Sequence, residues 1–299
     1  MPVSEFIALY DNPKTKYNYL LAAATYLKFI CGDETLTTKD IKRLDTCAKT
    51  YLASLKKERD LFYDLKHAAN AYAGKYAPKT ARLNLTIIIL WLEDNGHKLT
   101  RRERKRIFQS LPAPQPVRKD ADLTPDLFRK TGDHLPPWAQ TLLTLLAGTG
   151  MRIGEALLLE TRDLDNTGQR TTARIRAENA KTKTERVVIL TREAAEALDG
   201  YLCTRTDNDA RLFPYSAAQA QYVLRKARAH MGRDGNYFRW HAARKWFLSQ
   251  FRLCANRAVG EMLAGHSGYL DTAYRRYTLD TAMGEFIKAE PFIQIQEIA

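Results

Sequence analysis

Only four cysteines, Cys31, Cys47, Cys203 and Cys254, occur in the 299 residues, and they lie far apart with no C-x-x-C pair. No paired histidines stand near them, so a zinc ribbon or a disulfide framework is not expected, and reduced thiols in a reducing compartment are. The opening MPVSEFIALYDNPKTK has no basic segment followed by a long apolar run, which predicts no secretory signal. The most apolar stretch, TIIILWL at 86–92, is far too short to cross a bilayer. No internal repeat, low-complexity segment or carboxylate cluster suited to a metal is visible. A soluble, cytoplasmic protein with no membrane partner and no zinc site is therefore expected.

Negative charge is also scarce. The chain carries 34 Asp and Glu against 47 Lys and Arg, a formal charge of +13. Such a balance attracts polyanions through the long-range field and counterion release, which makes nucleic acid the default partner. The excess is uneven: residues 1–110 hold 20 basic and 12 acidic residues, or +8 of the total.

One break in composition divides the chain. Pro112, Pro114 and Pro116 alternate within SLPAPQPVRKDADLTPD, where they remove backbone donors and favour extended geometry. The expected organisation is a helical domain over 1–110, a linker over 111–121 and a second domain over 122–299. In the first domain apolar residues recur at helical spacing over 15–30, 39–55, 61–76 and 80–96, after a short opening helix. A further helix over 99–112 packs five basic residues, Arg101, Arg102, Arg104, Lys105 and Arg106, into six positions. These are candidate phosphate contacts, although a solvated face would read the same way.

The second domain mixes types. A helix over 136–150 should stop at Gly148 and Gly150, and 170–190 alternates as two strands joined by a polar turn. Thr191 can cap the next helix, and Ser216 with Gln219 forms a capping box for one running to about His230. Helices over 241–253 and 257–265 follow. The fold class is α+β, mainly helical, with one small antiparallel sheet.

Four separated pieces carry chemistry. In GTGMRIGEALLLE a glycine turn throws Arg152 onto a helix start, with Glu155 one turn on to orient the guanidinium. The turn AKTKTER carries Lys181 and Lys183. HAARKW places His241 and Arg244 at i, i+3 on one helix face. LAGHSGYLDTAYRRYT sets His266 ahead of Tyr269, Tyr274 and Tyr277. Each has an ordinary explanation when taken singly: a paired arginine, exposed lysines, a chance spacing, a packed aromatic face. Their joint order does not.

In this combination the chain resembles the tyrosine recombinase family, the phage-integrase and Xer-type DNA strand exchangers, with a tyrosine spacing also similar to archaeal and viral integrases. TGMRIGEALLL matches the first arginine box, HAAR the H-x-x-R box, LAGHS the L-x-G-H-S motif, and TERVVIL the strand that follows the catalytic lysine. The matches span about 135 residues from Gly148 onward. The resemblance implies a SAM-like helical core-binding domain followed by the catalytic domain. It also implies a site made of Arg152, Lys181, His241, Arg244, His266 and the nucleophile Tyr274, with Glu155 in support. Tyr277 is the rival nucleophile, because the commonest spacing falls on Arg275, and Lys183 is the rival lysine. Lys183 and Arg275 are further candidate DNA contacts.

The chemistry fits these residue types. Guanidinium forks stabilise charge developing on phosphate oxygens, a tyrosine hydroxyl needs positive neighbours and a base, and a lysine can protonate the departing 5′-hydroxyl. What the resemblance implies is site-specific strand exchange through a covalent 3′-phosphotyrosyl intermediate, which keeps the bond energy and so requires no metal and no cofactor. The partners would be double-stranded DNA with paired recombination sites and further copies of the chain, as a tetramer on DNA and a monomer when free. Such a protein would be nucleoid-associated when bound, and the apolar tail over 281–299 would dock on a neighbouring subunit or fold back on its own. A type IB topoisomerase-like relaxing enzyme and a non-catalytic architectural protein of the same fold are the alternatives.

Overall fold

The computed structural model describes residues 1–55, 57–115, 122–232, 238–266 and 277–295. Contacts divide the chain into two units, Met1–Val117 and Arg118–Ala299.

The first unit is helical among its described residues: α1 (Val3–Ala8), α2 (Pro13–Cys31), α3 (Ile41–Ser54), α4 (Leu61–Lys75), α5 (Pro78–Asp94) and α6 (Arg101–Gln109). Their ends follow local chemistry. The Asn12 side chain accepts from the Lys14 and Thr15 amides with Pro13 at the first position, and Gly32 closes α2 in the left-handed region. Thr100 and Glu103 form a capping box that starts α6. Trp91, Tyr26, Tyr51, Leu27 and Phe6 fill the core. Leu111 is buried with them.

The second unit is built around α8 (Pro137–Thr149), buried along nearly its whole length from Trp138 to Thr149. It packs against α7 (Pro125–Asp133), α10 (Arg192–Thr204) and α12 (Trp240–Cys254). Helices α9 (Ile153–Ala156), α11 (Ala217–His230), α13 (Arg257–Ala264) and α14 (Leu279–Ile293) complete the helical set among the described residues. The sheet has three strands, not two: β1 (Leu164–Asp165), β2 (Thr172–Ile175) and β3 (Arg186–Ile189), antiparallel in sequence order. Leu164 faces Ala173, and Ala173 faces Val188. Two residues are too few to show a period of two, so β1 is silent in the sequence.

One expectation needs correcting. Gly148 does not stop α8; it lies inside the helix, where a Cβ would meet Thr191 Oγ1 at 2.5 Å. Close approach of α10 is what requires glycine there, and the helix ends at Gly150, whose φ is 66°. Of the two readings of the tail, the described residues show the part up to Ile295 packed on its own domain. Helix α14 buries Ala282, Phe286, Ala289 and Ile293 against its own domain. The Arg170 guanidinium donates to both Glu290 carboxylate oxygens, from Nε to Oε1 at 3.2 Å and from Nη2 to Oε2 at 2.6 Å, and the Trp246 indole donates to the Ile293 carbonyl at 2.6 Å.

Candidate phosphate-binding active site

Helix α13 ends where three arginines meet. Its left-handed Gly265 cap exposes the last carbonyls, which carry the negative end of the helix dipole. Arg186 Nε donates to the Leu263 carbonyl at 3.1 Å. Arg244 Nη1 donates to the Ala264 carbonyl, and Arg152 Nη2 to the Gly265 carbonyl at 3.0 Å. Arg244 Nη1 also donates to the Gly150 carbonyl at 2.8 Å, so the glycine that ends α8 and the glycine that ends α13 share one cation cluster. Both glycines are required by space as well as by φ. A Cβ on Gly150 would meet the Phe247 ring at 2.4 Å, and one on Gly265 would meet the Arg186 guanidinium at 2.7 Å.

Glu155 holds two of the arginines. Its Oε1 accepts from Arg152 Nη1 at 2.9 Å and Arg186 Nη1 at 3.3 Å; its Oε2 accepts from the Arg152 amide at 2.9 Å and Arg186 Nη2 at 2.6 Å. Burial works against its ionisation, but the hydrogen bonds from Arg186 and Arg152 outweigh that and hold the carboxyl below its usual range. Three arginines and one carboxylate leave two net positive charges.

Arg244 is the buried member, with 2% of its surface exposed. Its Nε and Nη2 are buried and meet no hydrogen-bond partner among the described residues. Burial first, and then the charge of Arg152, pulls the guanidinium down to about 10. A buried cation with two idle donors is costly unless an anion completes it. Phosphate oxygens have the geometry to do so.

His241 and Arg244 sit one turn apart on α12 but differ in depth, since Arg244 is buried and His241 lies exposed at the rim. Desolvation, then the charges of Arg244, Lys245, His266 and Arg152, lowers the His241 pKa and keeps the imidazole neutral. His266 follows the Gly265 turn. Its amide donates to the Glu261 carbonyl at 2.8 Å, and its Nδ1 lies 2.6 Å from the Glu261 carboxylate, which fixes the ring.

Lys181 lies exposed in the turn between β2 and β3. Lys183 has φ 55° and donates its Nζ to the Glu178 carbonyl, folding back on its own turn. The Tyr277 hydroxyl meets Asn256 Nδ2 at 3.4 Å, and Asn256 caps the N-terminus of α13. That is the end remote from the arginines, about 12 Å away along eight helical residues. Tyr269, Tyr274 and Arg275 lie outside the described residues. In the first unit Arg101, Arg102, Lys105 and Arg106 are exposed on α6, whereas Arg104 pairs with Glu93 at 2.5 Å. Sequence reasoning passed over Arg186 and Glu261. Arg186 stands in the strand motif that aligned the lysine, so its position was visible and its pairing was not.

Among the described residues no cluster of His, Cys, Asp and Glu could hold a metal, and no helix is long and apolar enough to cross a membrane. Comparison with curated proteins finds no match. Among solved structures the chain is similar to a lambda integrase dimer bound to a COC′ core site, with 16% identity and TM-score 0.54 over 86% of this chain and 98% of that one. It is also similar to the Tn1549 transposon integrase in complex with circular intermediate DNA (15%, TM-score 0.54, 89% and 98%). A third similar structure is the XerH site-specific recombinase bound to difH in a pre-cleavage complex (14%, TM-score 0.52, 89% and 94%). These identities speak to the fold. The family model described as the phage integrase family matches residues 127–281, more than half of the chain and the whole stretch that builds the arginine cluster. The chain belongs to the phage integrase family.

Proposed function

We propose that this tyrosine-type site-specific DNA recombinase holds the scissile phosphate between Arg152 and Arg244 and breaks the strand with the hydroxyl of Tyr274. The buried Arg244 guanidinium, with two donors unpartnered among the described residues, carries the reading. The phosphodiester anion enters beside it, and its charge grows as the tyrosine oxygen adds to phosphorus. Two net positive charges in a desolvated pocket favour that growth over the ground state.

The proton balance uses the rest of the set. Neutral His241 takes the hydroxyl proton of the nucleophile as its oxygen bonds to phosphorus. His266, held at Nδ1 by Glu261, offers Nε2 for a further hydrogen bond to a phosphate oxygen. The P–O5′ bond breaks, and Lys181 on the exposed turn supplies the proton that the leaving 5′-oxygen needs. A 5′-hydroxyl of another strand then attacks the phosphotyrosine, so the bond energy is retained and the steps reverse. The choice of Tyr274 over Tyr277 is supported by the Tyr277 hydroxyl sitting at the wrong end of α13. The choice of Lys181 is supported by Lys183 being turned onto the Glu178 carbonyl. Exposed basic residues of α6 and Lys183 contact backbone phosphates, as does Arg275. Strand exchange takes place in an oligomer on paired sites, in the cytoplasm and associated with the nucleoid.

Covalent capture tests this. A pool of nicked duplexes with randomised sequence, incubated with the protein and denatured, should yield an adduct whose DNA reveals the preferred site. Peptide mapping should locate the phosphate on Tyr274, with Tyr274→Phe giving no adduct and Tyr277→Phe giving one. An adduct lost only in Tyr277→Phe would overturn the assignment.

A further inference from the structure

Arg186 has no place in the chemistry above, yet it is the most heavily bonded arginine of the cluster. With 11% of its side chain exposed, it donates to both oxygens of Glu155 and to the Leu263 carbonyl. It opens β3, the strand that leaves the Lys181 turn. Gly265 is kept free of a side chain where the guanidinium lies.

We propose that Arg186 is a positioning residue that shares the charge of Glu155, so that Arg152 stays available to the scissile phosphate. The inference rests on the reading that Arg152 binds that phosphate. Glu155 accepts from the Arg152 side chain through one oxygen and from its amide through the other. Alone, this carboxylate would draw the whole Arg152 fork onto itself and cancel its field. With Arg186 bound across both oxygens, the carboxylate is already satisfied, and Arg152 keeps Nη2 on the Gly265 carbonyl and off Glu155. Removing Arg186 lowers the cluster from two net positive charges to one. It also frees the Leu263 carbonyl, whose helix end leads into His266. Lysine cannot replace it, because a single ammonium does not span a carboxylate and a carbonyl in one plane.

The test compares substrates that differ only at the scissile linkage, on the duplex recovered by covalent capture. A methylphosphonate there carries no charge on the phosphorus oxygens and so relaxes the demand for cations. A 5′-bridging phosphorothiolate has a leaving group that needs no proton. On the normal linkage Arg186→Gln should slow adduct formation by roughly 10–100-fold, in line with loss of one electrostatic contributor that does not touch the substrate. On the methylphosphonate that deficit should shrink to within about threefold, as it should for Arg152→Ala, because one of the two negative charges of the transition state is gone. The phosphorothiolate should rescue Lys181→Ala and leave Arg186→Gln slow.

Rescue of Arg186→Gln by the phosphorothiolate would place Arg186 in service of the lysine turn and overturn the proposal. Rescue of Arg152→Ala without rescue of Arg186→Gln on the methylphosphonate would also overturn it while leaving the phosphate reading intact. Failure of both to be rescued would instead reject the phosphate reading of Arg152. A second variant covers the case in which Arg186→Gln does not fold. The double change Glu155→Gln with Arg186→Gln removes the carboxylate and its counter-charge together. It should be at least as active as Arg186→Gln, or active where the single variant is unfolded; a double variant that folds and is slower would overturn the proposal.

Discussion

Replacing Arg244 by methionine removes the buried fork while leaving a flexible apolar chain in its place. The structure sets two opposing contributions to stability. Arg244 Nη1 donates to the Gly150 and Ala264 carbonyls, and charge-assisted bonds of this kind contribute about 1.5–3 kcal/mol each. Against them stands the fall of the guanidinium pKa to about 10, worth on the order of 3 kcal/mol against the charged form. The unpartnered Nε and Nη2 add roughly 1–3 kcal/mol apiece on the same side. The bonds come to about 3–6 kcal/mol and the opposing contributions to about 5–9 kcal/mol, so Arg244→Met should lose no more than about 2 kcal/mol of folding stability in urea denaturation. Adduct formation should behave differently, because each donor lost from a transition-state oxyanion costs about 10²–10³-fold. A variant that is stable and slowed by at least about 10³-fold in initial adduct rate is the expected outcome. Cleavage within tenfold of the unaltered protein would refute the phosphate role. A loss of more than about 4 kcal/mol would show that the arginine is a structural strut.

Two further expectations follow from the geometry. The His241 pKa lies below the ordinary 6.5, so the imidazole remains neutral on mild acidification and the unfolded chain is the first to bind the proton. The stability it contributes is therefore complete above 6.5 and lost as pH falls through the lower folded value, and the acid limb of the cleavage rate should also lie below 6.5. A pH–rate profile with that limb at or above 6.5, absent in His241→Asn, would contradict this. At the tail, Glu290→Gln leaves the Arg170 guanidinium buried without its counter-ion and weakens the acceptor for the Arg192 amide. A loss of about 3–5 kcal/mol in urea is expected, with new proteolytic cuts within α14. Less than 1 kcal/mol would mean that the helix is held by its apolar face alone.

How much of this was legible depended on range along the chain. The helices of the first unit were visible because their signals are local: apolar spacing, Asn12 with Pro13, Thr100 with Glu103. The arginine box and H-x-x-R could be read because their spacing within a turn is the same in any helix. The pairing of Arg186 with Glu155 joins residues 31 apart, and that of Arg170 with Glu290 joins residues 120 apart. Neither has a spacing rule, since it is packing that brings the elements together. Gly148 shows the same limit at one residue. A glycine near a helix end reads as a stop, and only the approach of Thr191 reveals it as a contact point.

The sequence by itself determined the two-part layout, the excess of positive charge, the helix ends and the residue types needed for phosphate chemistry, because each follows from composition or from neighbours a few positions apart. Tertiary structure alone decided that three arginines converge on one helix terminus, that Glu155 serves two of them, that Tyr277 lies at the far end of α13 and that the tail folds onto its own domain. Those outcomes depend on which surfaces pack together, and packing is set by the whole chain.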